Sequence, residues 1–243
     1  MRKFGLIGKS LSHSFSPTYF KKKFEKNGIT DAEYVTCELA DISEFETLRN
    51  ENFVGWNVTV PYKEAIIPYL DELDSDAEAI GAVNTIIKRG NKLKGFNTDH
   101  IGFERSLLPF LEPTDQKALI LGTGGASKAV AYALKRRGIN YAFVSRTPEV
   151  GQLSYDQLNS SVLPYVQMIV NTTPIGMYPH VDAHPPLPFE LIESSHFLVD
   201  LIYNPEATLF LQEGIARGAR NLNGLSMLHH QADESWRIWN EGN

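Results

Sequence analysis

Residues 118–145 constrain the fold more than any other stretch. The apolar run Ala118–Leu121 passes directly into Gly122-Thr123-Gly124-Gly125, then into alanine-rich Ala126–Arg137, and Tyr141–Ser145 is again strand-like. Strand, glycine turn, helix, strand is the order of a β-α-β unit, in which two parallel strands are joined by a crossover helix. Glycines in such a turn let the backbone approach a pyrophosphate, and the helix N-terminus offers free N–H groups and a partial positive charge. The competing reading is a glycine turn that binds nothing. The third position of the dinucleotide fingerprint holds Ser127 instead of Gly or Ala.

The end of the second strand selects the nucleotide. An NAD site places Asp or Glu there for the ribose hydroxyls. This chain has Ser145-Arg146-Thr147 and no acid until Glu149. A guanidinium suits a 2′-phosphate, which points to NADP; otherwise Arg146 caps an exposed sheet edge.

Strand-like and helix-like stretches alternate elsewhere, which favours α/β layering with mostly parallel strands. Phe4–Gly8 reads as a strand, and Ser16-Pro17 as an N-cap followed by Pro at the first helical position, with the helix running to Gly28. Glu33–Glu38 and Phe53–Val58 read as strands, and Asp41–Asn50 as a helix with capping-box spacing between Asp41 and Glu44. Ala82–Lys88 and Lys92–Asn97 flank Arg89-Gly90-Asn91 as a hairpin, and Asp99 opens a helix to Leu108. Pro109 to Pro113 read as a linker. Met168–Asn171 and Phe197–Leu201 are further strands, Tyr178–Pro188 is a proline-rich loop, and Leu225–Trp239 carries apolar residues at helical spacing.

Composition narrows the class. The chain has 243 residues, 42% of them hydrophobic, enough for one large or two modest domains. A net charge of −6 argues against a general nucleic-acid surface. Cys37 is the only cysteine, which fits a reducing compartment. The apolar stretch after Met1-Arg2-Lys3 is too short for a signal peptide, and no apolar run approaches the ~20 residues of a membrane helix. The expectation is a soluble, cytoplasmic protein.

Three polar clusters fall near strand ends, where open α/β sheets form ligand crevices. They are Ser12-His13-Ser14-Phe15-Ser16-Pro17, Asn57-Val58-Thr59-Val60-Pro61-Tyr62-Lys63, and Asn84-Thr85 with Asn97-Thr98-Asp99. Hydroxyls and amides suit a substrate rich in hydroxyls and carrying a carboxylate. Lys63 and Asp99 are the opposite charges among them, and a lysine there can protonate a carbonyl oxygen as hydride arrives. Plainer readings stand beside this: Ser16 and Asp99 as N-caps, Lys63 as a solvated lysine, His13 as a core or capping residue. His180, Asp182 and His184 have alternating spacing that zinc accepts, but no cysteine lies near, and a mobile loop is the favoured reading.

These motifs together resemble those of the shikimate dehydrogenase family. Gly8–Pro17, Gly55–Lys63, Gly81–Thr85, Asn97–Gly102, Gly122–Ala129, Asn171–Met177, Asp200–Pro205 and Gly224–Gln231 carry the resemblance in order along the chain. The family's own glycine loop also lacks the third glycine. The resemblance implies a catalytic pair, Lys63 and Asp99, and reversible NADPH-dependent reduction of 3-dehydroshikimate to shikimate in aromatic amino-acid biosynthesis. It implies that Ser14 and Ser16 hold the substrate carboxylate, and that Thr59, Asn84, Tyr203 and Gln231 hold ring hydroxyls. For NADP it implies Gly122, Gly124, Gly125, Ala126, Ser145, Arg146, Thr147 and Thr172, with Gly224 and Met227 beside the nicotinamide. It implies no metal, and a monomer or homodimer. Its architecture is an α/β substrate domain over residues 1–100, completed by the C-terminal helix 225–243, and a Rossmann-type NADP domain over 101–224.

Two departures bear on the cofactor. Ser145 stands where the family usually has Asn, and Val150 where it often has a second basic residue. The stretch Pro148–Val166 is also shorter than usual. An NAD-dependent quinate/shikimate dehydrogenase and a non-catalytic shikimate sensor are the alternatives; the basic Arg146 counts against the first, and retention of Lys63 with Asp99 against the second.

Overall fold

The computed structural model describes residues 1–12 and 14–241. His13 and the last two residues of the expected C-terminal helix segment lie outside the described residues. The chain divides into two compact units, Met1–Thr98 with Ala232–Asn243, and Asp99–Gln231. Among the described residues no helix is long and apolar enough to cross a membrane.

The first unit holds β1 (Arg2–Gly8), α1 (Phe15–Lys26), β2 (Ala32–Glu38), α2 (Phe45–Leu48), β3 (Gly55–Val58), α3 (Tyr62–Ala65), β4 (Glu72–Leu73), α4 (Ser75–Ile80), β5 (Thr85–Arg89) and β6 (Lys92–Phe96). Its sheet runs β2-β1-β3-β5-β6-β4, with β1 parallel to β2 and β3, and β5 antiparallel to both β3 and β6. Gly90 and Asn91 turn the β5–β6 hairpin. One cluster packs Ile7, Trp56, Val58, Ile86 and Leu93. Another packs Phe4, Phe20, Phe24 and Ile87 around Trp239, whose indole N–H donates to the Ile86 carbonyl at 2.9 Å.

The helix expected to be capped by Ser16 starts earlier. Its N-cap is Ser14, in extended conformation, and Phe15 is the first helical residue. Pro17 therefore stands third in the helix, still inside the first turn, where a missing N–H costs no hydrogen bond. The Asp41–Glu44 capping box is present, but it opens a short 3-10 turn that leads into α2 instead of one helix to Asn50.

The second unit holds α5 (Asp99–Leu107), β7 (Lys117–Leu121), α6 (Gly125–Arg136), β8 (Asn140–Ser145), β9 (Leu153–Ser154), β10 (Met168–Asn171), β11 (Phe197–Asp200), α7 (Leu209–Ile215), β12 (Arg220–Leu222) and the first part of α8 (Leu225–Asn240). All six strands are parallel, ordered β12-β11-β10-β7-β8-β9. This is the doubly wound order of a dinucleotide-binding fold, with its switch point between β7 and β10. Alternation along the strands is strict. Ala118, Ile120, Met168, Val170, Phe197 and Val199 face a core built with α5 and α6, while Leu119, Leu121, Ile169 and Leu198 face the opposite one.

Pro109–Pro113 is not the passage between units; that lies at Thr98–Asp99. Phe103 and Leu107 of α5 are buried in the core that holds Ala118 and Ile120, so the helix belongs with the second sheet. Leu225–Gln231 of α8 group with the second unit, and Ala232 onward with the first. Between β8 and β10 no crossover helix forms. Two 3-10 turns, Tyr155–Gln157 and Leu163–Tyr165, cover that sheet face with Leu158 and Leu163.

Candidate active site

In the first unit, the carboxyl ends of β1, β3 and β6 and the amino end of β5 meet at one edge of the sheet, because β5 reverses between its two neighbours. All the polar clusters of this unit leave the sheet there. Lys63 lies half-buried on α3, its carbonyl accepting from the Val83 amide at 2.7 Å, next to Asn84. Thr59 is held by its own amide, which donates to the Ile7 carbonyl at 2.8 Å. Asn84 is fixed in orientation: its Oδ1 accepts from the Thr98 amide at 2.7 Å and its Nδ2 donates to Thr98 Oγ1 at 2.9 Å.

Beneath these residues runs a buried polar chain. Ser16 hydrogen-bonds the Tyr34 phenol, which burial pushes well above its usual pKa and so keeps protonated. Tyr34 donates to Asn57 Oδ1 at 2.8 Å and stacks on Phe20 at 4.4 Å. Asn57 Nδ2 reaches the Asn84 carbonyl at 3.2 Å, Thr85 Oγ1 at 3.1 Å and Ser235 Oγ at 2.9 Å. The Ser235 hydroxyl, on α8, also lies 3.2 Å from that of Thr98. Ser16 at one end of this chain and Asn84 at the other are thus set by contacts between residues far apart in sequence, whereas the Ser14 amide makes a local bond to the Leu11 carbonyl at 3.0 Å.

Asp99, Tyr203 and Gln231 belong to the second unit. Asp99 is buried as the first residue of α5, so the cap position falls on Thr98 and not on Asp99. Gln231 donates to the Leu228 carbonyl at 2.9 Å, and the half-buried Tyr203 has its phenol pKa raised by burial.

The nucleotide side of the second unit lies at its switch point. Gly122 has φ +106°, a left-handed conformation, and a side chain there would press on Thr172 Oγ1. Gly124 differs. It is extended, N-caps α6, and a Cβ added to it would meet no protein atom within 4 Å. Nothing in the protein requires glycine at 124, and the open space at this turn leaves room for a pyrophosphate to approach the backbone. Gly125 and Ala126 open α6, whose first-turn amides face the same turn.

Ser127 explains the missing third glycine. Its hydroxyl lies 2.6 Å from that of Thr172, which in turn donates to the Leu121 carbonyl at 2.6 Å. The helix is tied to the ends of β7 and β10 by hydroxyls instead of close packing. The Thr172 hydroxyl thus ties the glycine turn and the start of α6 to the end of β7. Met227 is buried in the core with Phe103 and Val170, and the Gly224 amide donates to the Ile202 carbonyl at 3.0 Å. Arg146 and Thr147 are exposed beyond β8, with Ser145 Oγ accepting from the Thr147 amide at 3.2 Å. These residues fit a dinucleotide carrying a 2′-phosphate.

Asp200, at the end of β11, is a buried carboxylate held by neutral donors. It accepts from Asn171 Nδ2 at 3.1 Å, Thr208 Oγ1 at 2.6 Å and the Ile202 amide at 3.0 Å. Desolvation nonetheless pushes its pKa up to about 6. Among the described residues no group of three His, Cys, Asp or Glu is arranged to hold a metal. His184 instead packs edge-on against Phe189, ring centres 4.9 Å apart.

Residues 6–86 match the family model described as the shikimate dehydrogenase substrate binding domain. A shikimate dehydrogenase (NADP(+)) of Caldicellulosiruptor saccharolyticus is 40% identical, over 98% of this chain and 92% of that protein. The chain belongs to the shikimate dehydrogenase family. Its fold matches a shikimate dehydrogenase crystallised with NADP+ at a TM-score of 0.88, with 34% identity over 99% of this chain and 90% of that one. A shikimate 5-dehydrogenase from Thermus thermophilus, solved with NADP(H) and shikimate, gives a TM-score of 0.87 and 33% identity, covering 99% and 94% of the two chains.

Sequence reasoning missed Tyr34 and Ser235. Ser235 reads as one more polar residue on an amphipathic helix, and its partners lie more than a hundred residues away. The one available signal was its place on the face that also buries Ala232 and Trp239.

Proposed function

We propose that this protein catalyses the reversible NADPH-dependent reduction of 3-dehydroshikimate to shikimate. The observation that carries the reading is the open backbone at Gly124 beside the α6 N-terminus, in a chain that keeps Lys63 and Asp99 in the family's motifs. NADPH, when bound, supplies the hydride that reaches the ketone carbon. Lys63 gives a proton to the carbonyl oxygen, so that two electrons and two hydrogens are added in all. Asp99 shares this proton traffic as the partner carboxylate. Ser14 and Ser16 hold the substrate carboxylate with hydroxyl donors, and Thr59, Asn84, Tyr203 and Gln231 hold the ring hydroxyls. The polar chain from Ser16 through Tyr34 and Asn57 to Ser235 fixes the donors of the first unit before substrate arrives, which lowers the entropic cost of binding. A single cysteine supports a cytoplasmic location.

The test is oxidation of shikimate followed by the absorbance of reduced nicotinamide, with NADP and with NAD. Turnover that depends on shikimate and favours NADP is the expected result. Binding of shikimate without turnover on either cofactor would leave a sensor, and equal efficiency with both cofactors would favour the NAD-dependent quinate/shikimate reading.

A further inference from the structure

The ends of β8 and β9 bring together two side chains that the family motifs do not pair. The strands run parallel in the register Val144 to Leu153 and Ser145 to Ser154, so Arg146 and Tyr155 emerge side by side immediately beyond them. β9 is the edge strand, and nothing further flanks Tyr155 in the sheet. Tyr155 occupies this place because the segment after β9 is a 3-10 turn, capped by Ser154, where a longer crossover would carry a helix. Its ring is half-buried against the cluster of Leu158, Leu163 and Ile169, which fixes it. Among the described residues its hydroxyl has no hydrogen-bond partner, and the Arg146 guanidinium has neither an ion pair nor a hydrogen bond. The Arg146 charge acts on the Tyr155 phenol, opposing the rise that burial causes.

We propose that the Tyr155 hydroxyl is a second donor to the 2′-phosphate of NADP, beside Arg146. The end of the second strand of a dinucleotide-binding unit is where the adenosine ribose is recognised. Arg146 meets the phosphate as a planar fork, and one phenol O–H at its flank adds a neutral donor to a third oxygen. The chain needs such a donor: Val150 is fully exposed and uncharged, and Glu149 is the next charged residue after Arg146. The shortened segment thereby places a neutral donor just beyond β9, beside Arg146.

The inference rests on the cofactor reading above, and the experiment separates the two. Dissociation constants for NADP, NAD, 2′,5′-ADP and 5′-AMP are measured by calorimetry on wild type, Tyr155→Phe and Arg146→Ala, without substrate. Phe keeps the packed ring, so the fold is retained. Tyr155→Phe is expected to weaken NADP and 2′,5′-ADP by about ten-fold and to leave NAD and 5′-AMP unchanged, the size of a hydrogen bond to a charged group. Unchanged 2′,5′-ADP binding in Tyr155→Phe, with a clear loss in Arg146→Ala, overturns the role of Tyr155 alone. Equal weakening of phosphorylated and unphosphorylated ligands by Tyr155→Phe also overturns it, since the ring would then serve the adenosine. Unchanged 2′,5′-ADP binding in Arg146→Ala overturns the cofactor reading on which it stands.

Discussion

The hydroxyl of Ser235 on α8 lies 2.7 Å from that of Thr85 on β5, and both side chains are sealed from water. With Asn57 Nδ2 at 2.9 Å, Ser235 joins the C-terminal helix to the strand ends that carry the proposed substrate donors. Removing it strands donors and acceptors in a dry interior, where each unmade hydrogen bond costs about 1–3 kcal/mol. Ser235→Ala is therefore expected to lower the melting temperature by several degrees, at roughly 2–4 °C per kcal/mol for a chain of this size. Calorimetry against wild type checks this, and a melting point within one degree or so of wild type would show the hydroxyl to be dispensable.

Lys63 is expected to matter for the chemical step more than for binding. Lys63→Met should lower kcat by about 10²–10⁴-fold, the usual contribution of a general acid, while shikimate still binds. Near-normal kcat removes Lys63 from the mechanism. Asp99→Asn should slow turnover sharply, and because the amide has nearly the volume of the buried carboxyl at the start of α5, a kcat loss larger than any change in melting is the expected result.

Ser14 and Ser16 separate cleanly in a stability measurement. Ser14 N-caps α1 without a side-chain hydrogen bond to the helix, so Ser14→Ala has no such cap bond to lose. Its expected effect is a shikimate KM raised roughly ten-fold or more, with the NADP KM almost untouched. Ser16→Ala should do the same and also destabilise, since it takes a partner from the half-buried Tyr34 phenol. Equal weakening of both ligands by Ser14→Ala would make the segment structural.

Two glycines give opposite expectations. Gly124→Ala places a methyl group in open space, so melting should be unchanged while NADP binding weakens as the methyl displaces the pyrophosphate. Gly224→Ala drives a methyl into the Leu201 carbonyl and should lower stability outright. Thermal melting and calorimetric titration of each variant with NADP check both. Full NADP affinity in Gly124→Ala would contradict the placement of the pyrophosphate.

Asp200 makes stability depend on pH in a defined direction. Its pKa is about 6 in the folded protein, against 3.8 for the exposed group. The protonated form is favoured by folding, so the contribution is complete below the unfolded value and lost as pH rises through about 6, in all roughly 3 kcal/mol. Asp200→Asn removes this dependence. Urea unfolding should show wild type gaining on the variant as pH falls from about 7 to about 4; a difference that is flat over this range would mean that Asp200 stays charged throughout.

Local signals were the legible ones. The glycine turn between Ala118–Leu121 and Ala126 announced a β-α-β unit, and the Gly90-Asn91 turn and the Asp41–Glu44 capping box were readable from a few neighbouring residues. Strand-end clusters around Ser14, Lys63 and Asn84 pointed to one edge of a sheet because open α/β sheets bind there. Short elements escaped: α4 and α7 are too brief for a periodic pattern to stand out, although Asp74 and Thr208 cap them. Pro109–Pro113 misled because prolines punctuate local structure, whereas the division between units follows which core Phe103 and Leu107 enter. Tyr34 and Ser235 were invisible for the same reason: their roles are defined by partners that only the folded chain brings near.

The first unit closes only when Ser235 and Trp239 arrive to meet Asn57 and Ile86. Ser235 follows Asn57 by 178 positions along the chain. A ribosome adding about 5–20 residues per second needs on the order of ten to forty seconds to cover that interval. Throughout it, Phe4 and Phe20 lack the indole that covers them, and the Asn57 amide lacks one of its acceptors. Residues 99–231 form an unbroken run and have no such wait. Synthesis thus leaves the half made first waiting for its last helix while the whole of the nucleotide-binding half is made, and that interval exposes its uncovered aromatic face to aggregation and to chaperones.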